Sequence, residues 1–243
     1  MSAPRPPVRA VLFDLDDTLF DHRYSAREAL EAVRECHDCF KAVGFEEVER
    51  IHARFLEELH HDVMLGRIPL EHARRERFRR LFDALGVSAD DALTAKAASA
   101  YRERYQTMRR AVDGARVLLP LVRSRARIGI VSNNLLEEQL EKLRYCGLHH
   151  YIDALIVSEE AGVSKPDPAI FGMALDRLGC EPSEAVMIGD SWTADVAGAR
   201  GAGIRAIWFN PGRREAPDAA VPRIESLAPP EPVMRMIFDA NRD

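Results

Sequence analysis

The spacing of apolar residues changes twice along the chain. Residues 8–13, VRAVLF, form a short apolar run, rich in branched side chains, that stops at acids. That pattern predicts a buried strand. From about residue 22 to residue 110 apolar positions recur every three or four residues, in HRYSAREALEAVREC, EEVERIHARFLEELHHDVM, PLEHARRERFRRLFDALG and DDALTAKAASAYRERYQTM. Strand signals are scarce there, and the spacing predicts a block of amphipathic helices.

Beyond that block the period switches. ARIGIVSNN, ALIVSEEAG, AVMIGDS and IRAIWFN read as strands. Between and before them, DGARVLLPLVRSRA, LLEEQLEKLRYCG, DPAIFGMALDRLG and TADVAGARGAG read as helices, with a terminal Gly after LLEEQLEKLRYC and DPAIFGMALDRL, Pro near the first turn of the latter, and TADVAGARGAG rich in Gly and Ala. Alternating strand and helix predicts an α/β fold, a Rossmann-like parallel sheet covered on both faces. The proline-rich stretch 211–232 predicts a surface loop before a short last helix. The first strand belongs with this later half although the helical block separates them. The expected organisation is therefore a core of residues 1–20 and 111–243 with a helical cap, 21–110, inserted after the first strand.

Composition narrows the class without fixing the chemistry. The chain has 243 residues, 47% of them hydrophobic and 30% charged, with a net charge of −5. A sizeable core under a polar surface follows, and neither a nucleic-acid polymer nor an acidic membrane is expected as partner. No apolar run reaches the length of a membrane span, and MSAPRPPVRA lacks the apolar stretch of a signal peptide, so a cytoplasmic location is expected. Oligomeric state is not encoded in any of these features. Cys36 and Cys39 form a C-x-x-C, but AREALEAVRECHDCFKAV reads as helix interior and no second ligand pair follows, so the four cysteines are expected as free thiols. The pairs His60–His61 and His149–His150 are expected at the surface.

The candidate chemistry lies where strands end. The first strand hands over to Asp14-Leu15-Asp16-Asp17-Thr18, the second to Ser132-Asn133-Asn134, the third leads to Ser164-Lys165-Pro166, and the fourth to Gly189-Asp190-Ser191 with Asp195 in the next turn. Ligands of open parallel sheets bind at the C-terminal strand edge. These segments are therefore expected to converge. Asp14 and Asp16, two apart, start on one side of an extended chain. With Asp190 they make a dense negative charge that a hard divalent cation relieves, and oxygen-only donors favour Mg²⁺. Lys165 suits the charge of a phosphoryl group, and Ser132 with the backbone N–H groups after it suits the phosphoryl oxygens. A carboxylate in that setting can attack phosphorus, and a second acid can protonate the leaving oxygen and later activate water. Asp17 and Asp21 read as turn and cap residues.

The ordered set D14-L-D-D-T18, S132-N, K165-P and G189-D-S-W-T-A-D195 resembles the haloacid dehalogenase superfamily of hydrolases over nearly the whole chain. The resemblance implies a phosphoaspartate mechanism with Mg²⁺. It implies Asp14 as nucleophile and metal ligand, and Asp16 as general acid/base with its backbone carbonyl on the metal. Ser132 and Asn133, with Thr18 of the first motif, go to the phosphoryl side, Thr18 also ordering its loop. Lys165 becomes the charge-neutralising lysine, Asp190 the remaining carboxylate ligand and Asp195 a supporting acid. Tyrosine and alanine mark the dehalogenases and phosphonate-cleaving members at the position of Asp16, so Asp16 implies phosphate ester hydrolysis; a phosphomutase keeps both acids as well. The stretch R205-A-I-W-F-N210, Arg213, Arg214 and Glu215, and G66-R-I-P-L-E-H-A-R-R-E-R-F78 resemble the bacterial pyrimidine nucleotidase and acylneuraminate-phosphatase branch. A small phosphorylated metabolite, first a nucleoside 5′-monophosphate, is the expected substrate, with a sugar phosphate as alternative. Arg67 is a candidate substrate contact in the cap. A phospho-accepting signalling module is the reading from another class; such modules lack an insertion after the first strand.

Overall fold

The structure is a computed structural model that describes residues 6–239. Chain contacts divide it into two compact units, Met1–Asp21 with Arg110–Asp243, and His22–Arg109.

The first unit is a six-stranded parallel sheet flanked by helices. Its strands are β1 (Ala10–Phe13), β2 (Arg127–Ser132), β3 (Ala154–Val157), β4 (Ala185–Gly189), β5 (Arg205–Phe209) and β6 (Arg223–Ile224), in the order β3-β2-β1-β4-β5-β6. Every residue of β1 is buried, as a central parallel strand covered on both faces requires. Its neighbours are in step at the C-terminal end, Phe13 facing Ile130 on β2 and Ile188 on β4. The strand order reverses direction at β1 and β4, the switch point of a doubly wound sheet. Leu12, Ile170, Phe171, Leu178 and Met187 belong to the apolar cluster that packs one face of the sheet.

The helices, in chain order, are α1 (His22–Arg34), α2 (Cys39–Ala42), α3 (Phe45–Met64), α4 (Leu70–Ala84), α5 (Asp91–Thr107), α6 (Ala115–Arg123), α7 (Leu136–Tyr145), α8 (Ser158–Ala161), α9 (Pro168–Leu178), α10 (Gly198–Gly201) and α11 (Pro230–Phe238). The first five form the second unit, where α1 packs on α5 and α3 on α4. Its apolar stripes meet around Phe40, Val48, Phe78, Leu81 and Phe82, with the Phe40 and Phe82 rings 4.8 Å apart. The Asp90 side chain caps α5 by accepting from the Leu93 N–H at 2.8 Å. Among the described residues no helix is long and apolar enough to cross a membrane.

Local chemistry departs from the sequence pattern in four places. The helix through Cys36 and Cys39 breaks: α1 stops at Arg34, and the Cys39 N–H donates to His37 Nδ1 at 3.2 Å, a side-chain bond that competes with helix continuation. Both thiols are free and burial raises their pKa values. ALIVSEEAG stops being strand at Val157 and becomes the helical turn α8, closed by Gly162 in the left-handed conformation. The helix expected over TADVAGARGAG begins as a π-helical turn, Trp192–Ala197. The proline-rich stretch also supplies β6: Trp208 and Phe209 align with Arg223 and Ile224, pairing that local sequence does not encode.

Candidate active site

Asp14 follows directly on β1, and its N–H donates to the Ile188 carbonyl at 3.0 Å. Its carboxylate meets Lys165, whose Nζ donates to Asp14 Oδ1 at 2.7 Å, Asp195 Oδ1 at 2.7 Å and the Val131 carbonyl at 2.6 Å. An ammonium has three protons, and all three are placed. Asn133 fixes the loop that carries this lysine: its Nδ2 donates to the Lys165 carbonyl at 2.9 Å, and its Oδ1 accepts from the Lys165 N–H at 2.7 Å. Asp195 Oδ2 accepts from the Ser191 N–H at 2.9 Å. Gly189 allows this approach, since a Cβ there would collide with the Asp195 carboxylate.

Asp190 is tied from three sides. Its N–H donates to Thr18 Oγ1 at 3.1 Å, and its carbonyl accepts from Trp208 Nε1 at 3.0 Å and from an Arg214 NH2 at 2.8 Å. Carboxylate oxygens of Asp14, Asp190 and Asp195 lie within 4.8 Å of one another.

The carboxylate of Asp16 goes elsewhere. Its Oδ1 accepts from Lys142 Nζ at 2.6 Å, and its Oδ2 from Gln139 Nε2 at 3.0 Å and Asn134 Nδ2 at 3.1 Å. Gln139 Nε2 also donates to Ser132 Oγ at 2.5 Å. Because β1 ends at Phe13, strand alternation no longer sets the directions of Asp14 and Asp16, and the two carboxylates take different partners. The next residues turn back sharply, with Asp17 at φ 62 and its N–H bonded to the Phe20 carbonyl at 2.7 Å. Aspartate tolerates that left-handed conformation better than most residues.

Two expected phosphoryl contacts have other duties. Thr18 is fully buried beneath the Asp190 backbone, and both ends of the Asn133 amide bond the backbone of Lys165. Each therefore holds a loop in the resting structure. Arg67 is exposed and pairs with Asp62 at 3.0 Å, and Arg213 pairs with Glu225 at 2.9 Å. Gln139, Lys142 and Arg214 went unrecognised as site residues in the sequence. The buried face of α7 is Gln139, Lys142 and Leu143, so a polar pair three apart within an apolar stripe was the available signal.

The electrostatics follow from burial. Burial raises the Asp14 carboxyl well above its ordinary value, Lys165 opposes this, and Asp195 and Asp16 add to it. Burial alone would lower the Lys165 ammonium, but Asp14 and Asp195 reverse that and leave it raised, so it stays cationic. Four carboxylates thus gather beside two buried ammonium groups, with the Arg214 guanidinium 3.9 Å from the Asp190 carboxylate, so acids outnumber cations by one. The distances, the charge and the position at the switch point define an α/β enzyme with its reacting groups on the carboxyl edge of a parallel sheet.

The chain belongs to the haloacid dehalogenase-like hydrolase family, whose model matches residues 8–203. A glyceraldehyde 3-phosphate phosphatase of Methanopyrus kandleri is 33% identical over 85% of this chain and 85% of its own. The pyrimidine 5′-nucleotidase YjjG of Escherichia coli is 29% identical over 87% of this chain and 90% of its own. Among solved structures, the magnesium-bound HAD-hydrolase YfnB of Bacillus subtilis superposes with a TM-score of 0.76 and 26% identity, covering 96% of this chain and 99% of that one.

Proposed function

We propose that the protein is a Mg²⁺-dependent phosphatase that hydrolyses the phosphate monoester of a small metabolite through a phosphoaspartate on Asp14. The observation that carries this is the Lys165 ammonium bridging Asp14 and Asp195 at 2.7 Å each, beside Asp190. The all-oxygen donor set and its surplus of acids over cations fit a hard divalent cation, which the carboxylates of Asp14 and Asp190 and the backbone carbonyl of Asp16 would hold. When bound, Mg²⁺ supplies charge stabilisation to a phosphoryl oxygen. Asp195 serves in support, since both its oxygens already accept hydrogen bonds.

Asp14 attacks phosphorus. The Asp14–phosphorus bond forms as the ester bond breaks, and the departing oxygen takes a proton from Asp16. Water then attacks the phosphoaspartate, Asp16 accepts its proton, and phosphate leaves with Asp14 restored. Ser132 Oγ accepts from Gln139, which frees its own proton for a phosphoryl oxygen. Lys165 neutralises phosphoryl charge and holds Asp14 in line. Asn133 and Thr18 act by holding the Lys165 and Asp190 segments.

A nucleoside 5′-monophosphate heads the substrate candidates on likeness to the Escherichia coli nucleotidase, and a triose or other sugar phosphate follows on likeness to the Methanopyrus phosphatase. The test is phosphate release from a panel of phosphorylated metabolites with Mg²⁺, against the same panel with EDTA. Mg²⁺-dependent release on at least one member is expected, abolished by EDTA and restored by adding Mg²⁺ back. Release that EDTA leaves untouched sinks the reading.

A further inference from the structure

The helical unit buries a positive charge that its own residues do not neutralise. Arg77, on α4, is 8% exposed, and among the described residues it has no hydrogen bond or ion pair. Its guanidinium instead lies against aromatic faces, 5.1 Å from the Phe78 centroid and 4.7 Å from the Tyr101 centroid. Its Nε is buried without a partner, and so is Nε2 of His52 on α3. The His52 ring sits 4.9 Å from Tyr101 and 5.7 Å from Phe78, on the same cluster. Burial, followed by Arg77 itself, holds His52 well below its ordinary pKa, so it adds no charge at neutral pH. Burial lowers Arg77, and the neighbouring Arg74 and Arg102 lower it further.

A desolvated arginine without an anion is costly, and cation–π contact repays part of that cost only. The other buried cations described above, Lys142 and Lys165, each meet a carboxylate within 2.7 Å. Aromatic walls and an unused guanidinium edge are what a bound carboxylate needs: apolar surroundings that strengthen the pair and a planar donor fork that matches two oxygens. One unneutralised guanidinium with a neutral His52 matches a singly charged carboxylate better than a phosphoryl dianion.

We propose that Arg77, with His52 and Tyr101 around it, forms a binding site for a carboxylate in the helical unit. The carboxylate is that of a small metabolite bound within this unit. Thermal unfolding of the full chain is followed in acetate and in chloride at equal ionic strength, for the wild type and Arg77→Met. The measurement needs no turnover, so it stands if the phosphatase reading fails.

Acetate is expected to raise the wild-type Tm above its chloride control and to leave Arg77→Met unmoved, while Arg77→Met in chloride matches or exceeds the wild-type Tm. If Arg77→Met does not fold, Arg77→Lys, which keeps the charge and loses the fork, must still weaken the acetate response. A wild type that acetate does not stabilise, or a variant that keeps the wild-type acetate response, overturns the proposal.

Discussion

The α/β unit and the helical unit bury charge in opposite ways. At the carboxyl edge of the sheet, Asp14, Asp195 and Lys165 are buried, and the lysine meets each carboxylate at 2.7 Å. Lys142, also buried, meets the partly exposed Asp16 at 2.6 Å. In the helical unit, Arg77 meets only aromatic faces. Parallel strands bring loops from distant parts of the chain to one edge, so opposite charges can be gathered there and fixed by backbone N–H groups. Helices packed by apolar stripes offer side chains alone, and a buried cation on such a stripe finds a partner only if a neighbouring helix happens to supply one. A charge-satisfied cluster is held in place by its own contacts, whereas an unsatisfied one is poised for a ligand.

Substitutions break this contrast in order of size. Asp14→Asn, in steady-state phosphate release, is expected to lose roughly 10⁴-fold or more in kcat with near-UV circular dichroism unchanged, because an amide replaces the attacking carboxylate. Lys165→Met is expected to lower stability by about 3–5 kcal/mol in urea unfolding, the cost of stranding buried carboxylates. Arg77→Met, by contrast, should cost little or nothing, and equal losses in the two would erase the distinction between the units. Lys142→Met is expected to reduce kcat by roughly 10- to 100-fold with KM nearly constant, since it releases Asp16 without touching the phosphoryl site. A KM effect larger than the kcat effect would place Lys142 on the substrate instead.

The smallest effect belongs to an exposed pair on the helical unit. Arg79, assisted by Arg80, holds the Glu76 carboxyl down to about 2, against its ordinary 4.5. A carboxyl depressed by folding contributes stability above its ordinary value, and that contribution disappears as pH falls toward the folded value. The Tm gap between wild type and Glu76→Gln is therefore expected to hold from neutrality down to about pH 4.5 and to close by about pH 2. An exposed pair of this kind is worth about 0.5 kcal/mol or less. A gap that widens in acid would reverse the assignment.

Much of this molecule is written locally. The alternation of strand and helix after residue 126, the helical spacing of 22–107 and the polar clusters behind each strand end all follow from side-chain periodicity and turn chemistry, which act over a few residues. Asp14, Lys165, Asp190 and Asp195 could be singled out because they lie past the ends of β1, β3 and β4. Other features needed the folded chain. Asp16 turns toward Lys142, and Asn133 and Thr18 are taken up in holding loops. The short β6 forms only against β5. The solitary burial of Arg77 depends on which helix faces meet. The sequence by itself determined most of the elements and which groups stand at their ends, because those depend on neighbours along the chain. Only the tertiary structure decided which charges find partners, because Coulomb and hydrogen-bond energies act over a few ångströms between residues up to 175 positions apart.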